Sequence, residues 1–553
     1  MSQHRNGHGF SRIVGTTPLQ PLAAAAPPYS RRGAWWPTIL LLLLIGVKAG
    51  FAGDPAAWVP ARWPGGPLEL ERRAQAKNVP ADPAVQETIA QWFDPSTLRL
   101  LQGTPINCLL VTWSGSGSPE TEHQQQQLVK TYAREARKLG ISVLGLVYPD
   151  RVSSVSVIVE SAVEAGLEGL VLEGEFPNSE ALIAEMRKIL RDRNSSAIVV
   201  WMTPLGKLTP SLDTPILVSV DPAVPRIRES VEGIEATPSS EPWIDSNIWL
   251  GVSLHSWCGS RPVWLGEQLA ANAVAEDYLR AIADAAAGGS RWILALSDDI
   301  RNGLRHQQAE ALRTWRRISA YLKFQEEHTQ WNEYPPFADY GFIQDSAVKE
   351  RIKSDSNLIL AVRQRIPLRV IERSQLSPLA LEGLQAVHGI GLTQPSEQER
   401  KVLSTFAQEG GLVVVGPSWK PTGLSPEQDF EIERSGKGRV VVYNKEWPEG
   451  TGLSKDLIDL LSRENLGVRF FRVTSVLSHV SMDKPGNRML VQLVNYATYP
   501  ADSVLVRISG NFRAARLYTP ENPVTELGIV KFDRQIEVNI PRLSIYGGLL
   551  LER

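Results

Sequence analysis

Asn107-Cys-Leu-Leu-Val-Thr-Trp113, the helical stretch His123–Leu139 and Ser142-Val-Leu-Gly-Leu-Val-Tyr148 decide the fold when read together. Both apolar runs are near-continuous in Val and Leu rather than alternating, which is the pattern of strands covered on both faces. The unit then repeats. Further runs stand at Leu170–Phe176, Ala197–Met202, Ile216–Val220, Trp249–Leu254, Val263–Leu265 and Trp292–Leu296, with helical stretches at Ser154–Ala165, Ser179–Arg191 and Glu267–Ala287. Eight strands with crossover helices predict a closed (β/α)8 barrel of the TIM type, completed by the helix Leu304–His328. One spacing disagrees. Eight residues separate Leu254 from Val263, too few for a crossover helix. Either that connection is degenerate, or one of the two runs is not a barrel strand.

Beyond a linker at Trp331–Asp339 a second α/β pattern follows: Leu358–Val362, Leu368–Ile371, Ala386–Ile390, the helix Gln398–Glu409 and Leu412–Val415. Gly410-Gly411 ends that helix, where glycine tolerates the left-handed conformation. This predicts a smaller parallel-sheet domain of flavodoxin or amidotransferase type. From about residue 468 the pattern changes to strand period, at Arg488–Tyr496, Asp502–Ser509, Ala515–Tyr518, Gln535–Ile540 and Tyr546–Leu551, as in a small β-sandwich. The expected division is therefore 1–52 leader, 53–335 barrel, 336–467 second α/β domain and 468–553 all-β domain. A chain of 553 residues is too long for one core.

The leader ends in Ser30-Arg31-Arg32, the apolar run Ala34–Val47 and Gly50-Phe51-Ala52. A basic region, a short apolar region and a small-residue exit read as a secretory signal, hence export to periplasm, envelope or medium. The run is short against the roughly 20 residues of a spanning helix, so membrane contact is expected only if the leader stays uncleaved. Composition is 43% apolar and 21% charged, with net charge −2. That balance lacks the basic footprint of a nucleic-acid binder and is compatible with a neutral ligand such as a sugar. The two cysteines, Cys108 and Cys258, make no disulfide framework and are expected as buried thiols. No zinc-like cluster, phosphate loop or dinucleotide fingerprint occurs, so no metal or organic cofactor is implied. The second α/β domain has no cysteine, so it carries no amidotransferase nucleophile and is expected to be structural or to pair copies of the chain.

Arg261-Pro-Val-Trp-Leu-Gly-Glu-Gln268, Ala285–Asp298 with Gly288-Gly289 and Ser290-Arg-Trp-Ile293, Leu490–Tyr496 and Ile540–Tyr546, in this domain order, resemble the family-42 β-galactosidases. The resemblance implies glycoside hydrolysis, with Glu267 as the nucleophilic glutamate near the end of the seventh strand. Family members also carry an Asn-Glu pair at the end of the fourth strand, its glutamate the general acid/base. By the strand count above, the fourth run ends Trp201-Met-Thr-Pro204 without a carboxyl group, and the nearest are Glu173 and Glu175 on the third.

Glycoside hydrolysis needs two carboxyl groups flanking the scissile bond, and in a barrel they come from C-terminal strand ends. Glu267 is the first candidate for nucleophile or base; the bland alternative is a carboxylate favoured by a helix N-terminus. Glu173 and Glu175 lie two apart, so in one strand they face the same side. There one of them is a candidate acid, Glu175 being nearer the strand end, against the alternative of a salt bridge to an arginine. Asp298 follows the eighth strand and is a third candidate. Trp113, Trp201, His255, Trp257 and Trp264 stand at predicted strand ends, where their rings could stack on sugar faces or simply pack. The reading is an exported glycoside-hydrolase-like protein acting on a neutral glycan; its rival is a non-catalytic glycan- or partner-binding envelope protein of the same architecture.

Overall fold

The computed structural model describes residues 53–553 except 116, 150–153, 204–215, 220–226, 231–232, 237–243, 245, 260, 267–268, 271, 346–350, 421–427, 446–455, 457–458, 463–465 and 472. The leader lies outside the described residues.

The first sheet is a closed ring of parallel strands. In order they are β1 (Pro60–Arg62), β2 (Cys108–Ser114), β3 (Ser142–Val147), β4 (Gly169–Glu173), β5 (Ile198–Thr203), β6 (Leu217–Ser219), β7 (Val263–Leu265) and β8, which is Arg291–Trp292 and Leu294–Ala295 interrupted at Ile293. The first half of β8 pairs with β7 and the second half with β1, which closes the barrel. Alternation along the strands sorts the side chains. Cys108, Leu110, Leu144, Leu146, Val171, Val200 and Met202 fill the interior with Trp58, Trp264 and Ile293. Leu109, Val111, Val143, Leu170, Leu172 and Val199 face the helices instead. The Cys108 thiol is unpaired, and burial in this interior pushes its pKa up.

Two strand assignments change. Trp249–Leu254 is no strand but part of helix α6 (Ile248–Cys258). It is packed against the barrel's helical layer and the second sheet, with Ser253 Oγ bonded to Gln344 Oε1 at 2.9 Å. A helix apolar on all sides gives the same short run as a buried strand. The true first strand, Pro60–Arg62, has three residues, one of them a proline, and gives no apolar run. The total of eight survives, but the runs counted first to fourth are the second to fifth. Leu170–Glu173 therefore belongs to the fourth strand.

The second sheet runs Leu368–Glu372, Tyr340–Gln344, Ala386–Gly389, Leu412–Val415 and Gly438–Tyr443 in parallel, with Phe430–Ser435 antiparallel on its edge. Leu358–Val362, expected as a strand, lies in the helix Arg351–Arg363, another buried apolar segment. Two antiparallel sheets, of four and five strands, form the C-terminal sandwich. Val506, Ile508, Val538 and Ile540 of one meet Val491, Leu493, Leu549 and Leu551 of the other in a single core.

A buried carboxylate joins barrel and sandwich. Asp284, on α7 (Ala275–Ala287), accepts from Ser246 Oγ at 2.7 Å, from Asn247 N at 2.7 Å and Nδ2 at 2.8 Å, and from the Tyr496 hydroxyl. Burial pushes its pKa up to about 6 against these donors. The folded state thus holds this proton more tightly than the unfolded chain does. Its stabilising contribution is fully present below the ordinary carboxylate pKa and is lost as pH rises through about 6. Relative to Asp284→Asn, which cannot titrate, the wild type is expected to lose on the order of 3 kcal/mol between pH 4 and pH 7. Parallel denaturation curves across that interval check this; a pH-independent difference would refute it.

Candidate active site

The C-terminal ends of the barrel strands hold a network of arginines and carboxylates. Arg62 ends β1 and Glu173 ends β4, and strand alternation turns both inward. Arg62 Nη2 lies 2.7 Å from each Glu173 oxygen. Despite burial, which lowers its pKa, the Arg62 guanidinium is held above its ordinary value by Glu173.

The segment after β1 supplies the rest. Two prolines and two glycines, Pro64-Gly65-Gly66-Pro67, turn the chain directly into α1 (Gly66–Gln75). This short helix carries Glu69, Arg72 and Arg73 on one face, the i,i+3 and i,i+4 spacing that lets side chains meet. Glu69 is wholly buried. Its Oε1 accepts from Arg72 Nη2 at 2.9 Å and Arg73 Nε at 2.7 Å, its Oε2 from Arg72 Nε at 3.2 Å and Thr112 Oγ1 at 3.0 Å. Burial would raise the Glu69 pKa, but Arg72 and then Arg73 outweigh it and hold it below the ordinary value. Arg73 Nη1 continues to Asp298 Oδ2 at 2.6 Å, and Arg301 Nη2 binds the other Asp298 oxygen. Against its partial burial, Arg301 and Arg73 hold the Asp298 carboxyl low. Arg72 lies over the Tyr148 ring, 4.6 Å from its centroid, a cation–π contact. The Tyr148 hydroxyl is buried and has no hydrogen-bond partner among the described residues. Arg62, Glu69, Arg72, Arg73, Asp298 and Arg301 line a cavity of about 390 Å³, within the range of small-ligand sites.

The expected site residues separate into two groups. Glu173, Glu175 and Asp298 stand at this mouth. β4 ends at Glu173, and Gly174 has φ +109°, a conformation that favours glycine. The chain therefore turns between the two glutamates, Glu175 is exposed, and the expectation that they share one side of a strand does not hold. Asp298 opens α8 (Asp298–Arg305), whose N-cap is Ser297. Both its oxygens are bound to arginines. Glu267 lies outside the described residues, two positions past the end of β7. The helix expected from Glu267 begins instead at Ala275.

The aromatic candidates lie elsewhere. Trp113 and Trp201 face the helical layer and are buried there. Trp264 fills the barrel interior, its ring 6.4 Å from Trp58. Fully packed rings offer no face to a sugar. His255 and Trp257 sit on α6, not on a strand; His255 Nε2 bonds Gly289 O at 2.8 Å. Gly289 precedes β8, so His255 belongs to the opposite end of the barrel. Arg62, Glu69, Arg72, Arg73 and Arg301 were not expected. Glu69-Leu-Glu-Arg-Arg73 has the spacing of an ion-paired helix face, but on sequence that face reads as solvated.

No family model and no curated protein sequence matches the chain. Solved structures do. The alpha-L-fucosidase isoenzyme 2 from Paenibacillus thiaminolyticus is similar at TM-score 0.52 and 12% identity, covering 82% of this chain and 95% of that one. A catalytic mutant of Gan42B, a GH42 beta-galactosidase from G. stearothermophilus, is similar at TM-score 0.54 and 10% identity, covering 90% and 98%. The chain thus has a glycosidase-like fold and a distant resemblance to the family-42 β-galactosidases.

Proposed function

We propose that this chain is a glycoside hydrolase, exported by its leader, with Glu175 as general acid/base and Glu267 as nucleophile. The observation that carries the reading is the position of β1. It makes the strand ending at Glu173 the fourth, with Glu175 two residues past its end, while Glu267 follows the seventh. Those are the two positions at which family-42 enzymes carry their reacting carboxyl groups, although Gly174-Glu175 stands where they have Asn-Glu. The ionised partner attacks the anomeric carbon while the other donates a proton to the leaving oxygen. Glu173, tied to Arg62, holds the two strand ends in register rather than reacting. The second reading, a non-catalytic glycan- or partner-binding protein, draws support from Glu173 and Asp298 both being bound to arginines.

Hydrolysis of a panel of nitrophenyl glycosides and polysaccharides by the protein and by Glu267→Gln tests this. The substitution is expected to lower kcat on the order of 10³-fold or more with folding intact. Azide should restore turnover to Glu267→Ala by replacing the missing nucleophile. Full activity in Glu267→Gln would remove the assignment, and no activity of the wild type on any substrate would leave the second reading.

A further inference from the structure

We propose that the barrel mouth binds an anionic glycan, in which a carboxylate or sulfate ester is held by Arg62 and Arg72. The inference rests on the reading above only in taking the ligand to be a glycan. It follows from the hydrogen-bonding inventory of the cavity. The carboxylates that hold its arginines are engaged: each oxygen of Glu69, Glu173 and Asp298 takes at least one N–H or O–H from the chain. The arginines are not fully engaged. Arg62 uses only Nη2, and Arg72 only Nε and Nη2, so Nε and Nη1 of Arg62 and Nη1 of Arg72 make no hydrogen bond with any described residue. Both side chains are partly open, at 17% and 29% exposure. Four guanidinium groups stand at the mouth, two of them with donors to spare.

A sugar hydroxyl both donates and accepts, and against these guanidinium donors only its acceptor side is used. A carboxylate or sulfate brings acceptors and a negative charge, and fits the planar guanidinium fork in two-point contact. Arg72 is also fixed in advance, clamped by Glu69 on one side and Tyr148 on the other, so little side-chain entropy remains to be lost on binding. A whole-chain charge of −2 does not exclude such a local anion site.

Calorimetric titration of the full protein with digalacturonate, with galactose 6-sulfate and with neutral galactobiose decides the matter. At least one anionic probe is expected to bind about tenfold or more tightly than galactobiose, and less tightly as salt rises. Which of the two binds better separates carboxylate from sulfate. Arg72→Gln should remove the preference, and Arg72→Lys should keep part of it. Galactobiose bound as tightly as both anionic probes, or no anionic binding by the folded wild type, would overturn the proposal. Anionic binding without hydrolysis of any glycoside supports it while removing the glycosidase reading. Hydrolysis of neutral glycosides without anionic preference does the reverse.

Discussion

Glu175→Gln is expected to lower kcat/KM by about 10²–10⁴-fold on natural glycans and alkyl glycosides, and far less on dinitrophenyl glycosides. The asymmetry follows from the role. An alkoxide is a poor leaving group and needs its proton in the transition state, whereas dinitrophenolate leaves unaided. A variant lacking only the acid therefore keeps its first step for the activated substrate and accumulates the glycosyl-enzyme. Glu173→Gln is the control. Glu173 already accepts both Arg62 contacts, so its loss frees the buried guanidinium and should reduce activity on both substrate types alike. Pre-steady-state bursts on dinitrophenyl and methyl glycosides compare the two variants. An equal loss on both substrates for Glu175→Gln would assign Glu175 a structural role.

Much of this arrangement was legible in the sequence, and the gaps have physical causes. Runs such as Ser142–Val147 and Ile198–Thr203 announced themselves because strands covered on both faces are apolar throughout. The same rule misread α6, a helix with little polar face, and Leu358–Val362, the buried apolar end of the helix Arg351–Arg363. β1 was silent for the opposite reason. It is three residues long, and its inward Arg62 is a charged group whose burial is compensated by a partner 111 residues away, which no local pattern can reveal. That one omission moved the count at the functional end of the barrel and hid the position of Glu173-Gly174-Glu175. The tryptophans misled in a different way. A strand-end aromatic is equally suited to either face, and only the parity of the strand sends Trp113 and Trp201 to the helices. The arginine network was illegible because its members come from β1, α1 and α8, which meet only when the ring closes.

Glu69→Ala is expected to destabilise the barrel by about 3–5 kcal/mol. The side chain is wholly buried and joins Arg72, Arg73 and Thr112, so its removal leaves Thr112 Oγ1 unbonded and two guanidinium groups short of charge. Arg72, at 29% exposure, can recover some hydration, whereas Arg73, at 10%, recovers little and keeps Asp298 as its one partner among the described residues. Glu69→Gln keeps volume and part of the bonding and should cost roughly half as much, since the charge is what Arg73 lacks. In a multidomain chain the global transition is a composite, so denaturation is best paired with hydrogen exchange over residues 58–75, where protection should fall most. Glu69→Leu with Arg73→Met separates the two sources of the loss. If the stranded guanidinium dominates, removing both charges is expected to be milder than Glu69→Leu alone. A double variant as damaged as the sum of its parts would instead mean that packing around Glu69, and not its charge, holds α1 against the mouth.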